Sequence, residues 1–437
     1  MKKLTSVLLL ISLCFMMLAS CGTSSGNETA TTTGDKPTVE KPTDGDETTK
    51  ADNPVEEGSG VVSDSIEGTT TPSGTTSDTQ GSVTSEEIPS DSKEEEPDSP
   101  YSSGLEYTLN DDKESYSLSG RGSCKDEDII VPDTYEGLPV TGVADKAFLN
   151  AYEWFTITLP ESVTFIGDYA FANANLTIVL PGNLKHIGDS AFAGATIAPI
   201  SIPDSIETIG SSAFYCTVES ITVPDKNFSV GSYAFGNYAY STPHLIMNEY
   251  GGAYYLGNDS NPYVMLVDVS WRYSADTITI HDQTRIICPG AFSSCENLTN
   301  IVANETNANY KTMNGDLYTK DGKTLIQYAI GKPATEYVVA DTVEHIANDA
   351  FSGSKVKAVT MKDGVKTIGN GAFSNCTELY TVIIPDSVTS IGEYVVDSCE
   401  RLTSLLYTGS EEQWAAINIG DNNDPLKSVK CNYEPIA

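Results

Sequence analysis

Residues Ile200 to Phe214 read ISIPDSIETIGSSAF, and the same frame returns along most of the chain. Ile157 to Phe171 reads ITLPESVTFIGDYAF, Ile178 to Phe192 reads IVLPGNLKHIGDSAF, and Val382 to Val396 reads VIIPDSVTSIGEYVV. Such self-similarity marks a solenoid, in which each unit is one coil. Ile200 and Ile202 alternate with Ser201, the period of a strand with one buried face. Pro203 has no N–H, so a ladder ends there or lies at an edge. Asp204 and Ser205 suit a corner, because their side chains bond nearby backbone. Ile206 and Ile209 turn the chain inward again, and Gly210 predicts a backbone turn that a Cβ would obstruct. Ala213 and Phe214 supply one small and one large core side chain. A single coil cannot cover these apolar groups, so neighbouring coils must.

The anchoring aromatic falls at Phe148, Phe171, Phe192, Phe214 and Phe235, returns at Phe292, and resumes at Phe351, Phe373 and Val396. Proline stands eleven residues before it at Pro160, Pro181, Pro203, Pro224 and Pro385, with His281, Ala340 and Lys362 in the same place elsewhere. These nine frames predict a β-rich solenoid of short parallel strands, turns and short helical pieces over 104–437. Ahead of them, Leu105 to Ser119 predicts a hairpin turning at Asn110-Asp111-Asp112. With Ile129 to Phe148 it forms the cap that covers the first open edge.

The N-terminus is of another kind. Lys2 and Lys3 precede an apolar run from Leu4 to Leu18 that is short for a membrane span and reads as a secretory leader. Its end, Leu18-Ala19-Ser20-Cys21, resembles the bacterial lipobox. The resemblance implies a leader over 1–20 and a diacylglyceryl group on Cys21. Two acyl chains hold a protein to a membrane firmly, whereas one holds it marginally. From Gly22 to Pro100 there are 19 acidic and 4 basic side chains and no aromatic residue. Such a composition cannot bury enough apolar surface to fold, so 21–103 is expected to be an acidic disordered tether. Gly22-Thr23-Ser24-Ser25-Gly26 spells a hydrolase elbow, but lacks the strand and helix that the elbow requires.

The period and the Cys shortly after Ala-Phe place the repeats among leucine-rich repeats. More narrowly, the unit resembles the BspA-like family of bacterial surface proteins over about 125–433. Ser293-Ser294-Cys295-Glu296-Asn297-Leu298 and Ser374-Asn375-Cys376-Thr377-Glu378-Leu379 carry its ending. The resemblance implies a secreted or surface-anchored binding protein, often linked with adhesion and host contact.

Two interruptions break the period. Residues 238–275 hold Tyr240, Tyr250, Tyr254, Tyr255, Tyr263, Trp271 and Tyr273. Tyr254-Tyr255-Leu256-Gly257-Asn258 and Asn261-Pro262-Tyr263 look like an insertion of the same family, and Tyr263 to Val269 predicts a hairpin. Residues 304–333 carry Asn314-Gly315 and Asp321-Gly322, strong tight-turn signals that predict an elongated coil with two hairpin turns. At the C-terminus 405–437 is the closing cap. Ser410 and Gln413 predict a capping box, with Trp414 and Ile417 on one helical face.

Chemistry beyond packing is sparse. Seven cysteines remain after Cys14 and Cys21, an odd number that cannot all pair. Cys295, Cys376 and Cys399 each lie three residues after the aromatic slot, a place for a buried thiol, with Cys376 and Cys399 the pair to check for a disulfide. No Cys/His ligand spacing predicts zinc, and no cofactor is expected. Gly420-Asp421-Asn422-Asn423-Asp424 is either a polar loop or a calcium loop. His186 and His345 share a solvent-facing position and pair with no nucleophile, so catalysis is not expected. With 61 acidic against 25 basic groups, nucleic acid is excluded as a partner. The expected partner is an extracellular protein or glycan, with the membrane touched only through the anchor. Tyr254, Tyr255, Tyr263 and Trp271 are the candidate binding residues, with a miniature core as the alternative. The whole chain reads as a cell-surface adhesin, or else as an envelope component without a dedicated ligand.

Overall fold

The computed structural model of the chain describes residues 99–235, 245–269, 276–333 and 335–434. The leader, Cys21, most of the tether and Trp271 lie outside these residues. Ser102 is already bonded into the fold, its N–H donating to Ile130 O at 2.9 Å and its hydroxyl accepting from Ile130 N–H at 3.1 Å.

Two parallel ladders run along the repeats. One carries the Ile of each Ile-Gly pair and its equivalents: Val143 pairs with Ile166, Ile166 with Ile187, Ile187 with Ile209 and Ile209 with Val230. It continues from Leu325 through Ile346, Ile368 and Ile391 to Ile419. The other carries the strands that precede the prolines, Ile129 beside Ile157 and Ile178, and later Tyr337 beside Val359, Val382 and Leu405. Most inward side chains of both sets are buried, with Val230, Tyr337 and Ile419 half-buried, giving a solenoid of about twelve turns. Beyond the nine frames stand the turns of Leu266 and Ile419, which the frames missed, and the elongated coil expected over 304–333, which contains Leu325. Val269 and Tyr328 take the place of the aromatic in the Leu266 and Leu325 turns.

The phenylalanines form a column. Phe148, Phe171, Phe192, Phe214 and Phe235 stack face to face at 5.1 to 5.4 Å between ring centres. Tyr328, Phe351 and Phe373 repeat this at 5.2 and 5.0 Å. Each ring is fixed by its own backbone: Phe171 N–H donates to Ala191 O and Phe192 N–H to Ala213 O, both at 2.8 Å. Offset ring stacking adds to the area each side chain buries.

Gly210 is needed for a different reason from the expected turn. Its backbone is ordinary, but a Cβ would lie 2.5 Å from the Asp189 nitrogen of the preceding coil. Gly188, Gly369 and Gly392 face the preceding coil in the same way, at 2.7, 2.5 and 2.6 Å. The left-handed residue comes two places later, at Tyr169 (φ 54°), Ser190 (φ 54°), Ser212 (φ 53°) and Tyr233 (φ 54°). No glycine marks those positions, so the sequence hid them.

Corner side chains also bond between coils rather than within one. Ser162, Ser205 and Ser387 donate to Val140 O, Leu184 O and Val365 O of the preceding coil at 2.5 to 2.8 Å. Asp145 accepts from Asp168 N–H, Asp168 from Asp189 N–H, and Asp189 from Ser211 N–H, at 2.6 to 2.8 Å. Asn348 and Asn370 do the same for Asn370 N–H and Glu393 N–H.

The caps form, except that Ile417, expected on the helical face with Trp414, lies beyond the end of the helix. Glu106–Leu109 and Tyr116–Gly120 make the antiparallel hairpin. Helix Glu411–Ala415 begins at Ser410 with a complete capping box, and Trp414 meets Tyr407 edge-on at 5.0 Å. Asn423 is a buried clasp, donating to Gly392 O, Gly420 O and Asp421 O and accepting from Val395 N–H. Its amide thus fastens the loop from Gly420 to Asp424 to the last coils.

The two interruptions share one plan. Asn248–Tyr250, Ala253–Leu256 and Met265–Val269 form an antiparallel meander, as do Tyr310–Met313, Asp316–Thr319 and Thr324–Gln327. In each, the last strand then joins the solenoid in parallel, Leu266 beside Ile287 and Leu325 beside Ile346. Asn314 and Gly315 both have positive φ, the turn their pairing predicts.

Candidate binding surface

The insertion tyrosines separate according to strand alternation. Tyr255 faces inward and is 0% exposed, its hydroxyl accepting from His281 N–H at 3.4 Å. It therefore cannot meet a ligand, and its expected role as a contact is corrected to packing. Tyr263 stands edge-on to Tyr255 at 5.6 Å and stacks on His281 at 4.0 Å, with Tyr250 closing the group. Burial holds His281 below the usual imidazole range. Tyr254 faces the other way, half-buried, and pairs across the strands with Asp268.

Asp268 lines a second feature, where the period fails. Two coils converge on the Phe292 coil there: Val269 N–H donates to Ala291 O at 3.0 Å, and Tyr233 N–H donates to Pro289 O at 3.3 Å. The next full coil also reaches this seam, since the Ser232 hydroxyl donates to Asp349 Oδ2 at 2.6 Å. Gly290 makes the approach possible, because a Cβ there would lie 2.7 Å from the Tyr233 ring.

A cleft of about 210 Å³ opens at the seam, with Tyr233, Met247, Asp268, Gly290, Ser293 and Ser294 among its walls. Tyr233 is 46% exposed and shares the cleft wall with Ser293, whose hydrogen bonding favours the ionised phenol. Burial and the nearby Asp349 and Asp268 charges raise its pKa, against that hydrogen bond. Burial pushes Asp268 up to about 6, opposed by the Val269 N–H it accepts. The carboxylate still reaches water through the cleft mouth, which moderates that shift. Burial likewise raises Asp349, which is 6% exposed. An aromatic face beside hydroxyls and a weakly acidic carboxyl can hold a small polar ligand with one apolar side.

Among the described sequence candidates, Tyr254 is the one tied to this cleft, as the cross-strand partner of Asp268. Sequence reasoning missed Tyr233, Asp268, Ser232 and Asp349, because nothing local marks contacts made across the interruptions. Among the described residues no three metal-binding side chains converge, and no helix is long and apolar enough to cross a membrane.

The family description "BspA type leucine rich repeat region" matches six copies, over residues 124–248, 271–314 and 331–416. Among solved structures, the chain is similar to a leucine-rich cell surface protein from Faecalibacterium prausnitzii, at 21% identity over 74% of this chain and 98% of that one, with a TM-score of 0.29. It is also similar to the pneumococcal vaccine antigen PcpA, at 18% identity over 73% and 77%, with a TM-score of 0.33. A leucine-rich repeat protein from Eubacterium ventriosum gives 18% identity over 77% and 95%, with a TM-score of 0.27. No curated protein matches the chain. With its repeats matched over more than half of its length, the chain belongs to the BspA-type leucine-rich repeat family.

Proposed function

We propose that the chain is a lipid-anchored, non-enzymatic binding protein of the bacterial cell surface that engages a glycan at the seam cleft and so supports adhesion. The lipobox-like Leu18 to Cys21 supports the anchor. The observation that carries the ligand class is the half-exposed Tyr233 ring beside Asp268, Ser293 and Ser294 in a cleft with room for one sugar ring. A sugar offers a C–H face to an aromatic ring and hydroxyls to carboxylate and serine partners. The net charge of −36 favours neutral or basic glycans over anionic ones.

A glycan array probed with the purified chain, followed by titration of the best hit, tests this. Tyr233→Ala is expected to weaken that hit at least tenfold, about 1.4 kcal/mol. Binding that survives Tyr233→Ala and Asp268→Asn would move the ligand to the outer faces, where Tyr152, Trp154 and Tyr169 are exposed. No binding to any glycan rejects the reading. For the anchor, metabolic labelling with a fatty acid should mark the parent chain and not Cys21→Ala.

A further inference from the structure

We propose that Cys376 and Cys399 are a modification site, two thiols on adjacent coils that close into an inter-coil disulfide when a disulfide-bearing oxidant is supplied. Both stand three residues beyond the aromatic slot, after Phe373 and Val396. Their coils run in register, Val382 beside Leu405. The Cys376 thiol donates to Phe351 O at 3.1 Å and the Cys399 thiol to Phe373 O at 3.0 Å, so both point the same way along the stack. One coil earlier the same slot holds Ser354, whose hydroxyl lies 3.4 Å from Cys376 Sγ, so one step between coils is one side-chain contact. Strands in a sheet are roughly 4.8 Å apart, inside the span of about 4.4 to 6.8 Å between Cα atoms that a disulfide accepts.

Access gives the reaction a direction. Cys376 is buried and Cys399 half-buried, so the oxidant enters at Cys399. The Cys399 thiolate attacks one sulfur of the oxidant, a small-molecule disulfide or an oxidised dithiol protein. An S–S bond forms at Cys399, the oxidant's own S–S bond breaks, and its second sulfur leaves as a thiolate. Cys376 then attacks Cys399 Sγ, forming the inter-coil bond and releasing the other half of the oxidant. Two protein thiols lose two electrons and two protons, and the oxidant's disulfide becomes two thiols.

The test uses the full chain, reduced, treated with oxidised glutathione, alkylated and digested with trypsin. The peptide from Thr367 to Arg401 holds both cysteines and no other. It should appear unalkylated and two hydrogens lighter, and regain two alkylation sites after dithiothreitol. Two alkylated cysteines, or two separate glutathione adducts, overturn the proposal. Cys376→Ser copies the serine already present at Ser354 and so keeps the slot filled. In that variant Cys399 should retain glutathione as a stable adduct. An unmodified Cys399 there overturns its assignment as the entry thiol.

Discussion

The hydroxyl of Ser232 donates to Asp349 Oδ2 at 2.6 Å, although 117 residues separate the two. This bond joins coils on either side of the Phe292 coil and locks the seam where the repeat period is lost. Asp349 is buried, so removing its hydroxyl partner leaves a carboxylate poorly solvated. Ser232→Ala should cost about 1 to 3 kcal/mol in urea unfolding at pH 7. Burial raises the Asp349 pKa and the Ser232 hydrogen bond lowers it, so the variant raises it further. The protonated acid has less need of that bond, and the defect should shrink as pH falls towards 4. An equal cost at both pH values would argue against it.

Gly210 tests the contact between coils. A Cβ would meet the Asp189 backbone nitrogen at 2.5 Å, and backbone within a ladder cannot step aside. Gly210→Ala should lose about 1 to 3 kcal/mol through overpacking. Gly137, at φ +82°, has open space where a Cβ would stand, so Gly137→Ala should cost only the left-handed strain. That strain is about 1 kcal/mol. Thermal melting of the two variants should rank Gly210→Ala as the less stable.

Lys332 and Asp316 form a buried pair at 2.6 Å, with side chains 15% and 1% exposed. Ala329 N–H and the Tyr337 hydroxyl also donate to the carboxylate, at 2.9 and 3.1 Å. Burial nevertheless raises the Asp316 pKa, with Lys332 the main opposing influence. Lys332→Met should cost about 3 to 5 kcal/mol at pH 7, because it strands the charge. The loss should be smaller at pH 5, where the stranded acid takes up a proton. Adding Asp316→Leu should recover most of the stability, and chemical denaturation of the single and double variants checks each step.

Asp268 carries a pH signature of its own. Its folded pKa of about 6 exceeds the ordinary carboxylate value of 3.8, so the folded state binds more protons between them. Stability contributed there is full below pH 4 and is lost as pH rises through about 6. Asp268→Asn should remove that slope and gain about 1 kcal/mol on the parent at pH 7.5, after allowance for the solvated cleft mouth. Melting curves at pH 4.5 and 7.5 give the comparison. If both proteins change alike, the carboxyl is not responsible.

Which features could be read from the sequence follows from how far each interaction reaches. Ile200, Ile209 and Phe214 announce their burial by period alone, and Ser410 with Gln413 announces a helix start within four residues. Asn314-Gly315 likewise fixes its own turn. Gly210 and Ser205 were correctly picked out but wrongly explained, since their partners lie one coil away. The seam was illegible for the same reason. Val269 fills an aromatic slot without the surrounding Ala-Phe spelling, so the turn it completes did not register. Tyr233 and Asp349 sit at equivalent corners of separate coils, and only the seam brings those corners together.

The chain of hydrogen bonds linking Asp145, Asp168, Asp189 and Ser211 has a consequence for how such molecules change size. Each turn receives from one side the same kind of hydrogen bond that it hands on to the other. A duplicated turn would therefore join its neighbours without any new chemistry at either joint. Length can grow or shrink by whole units while both end pieces stay as they are.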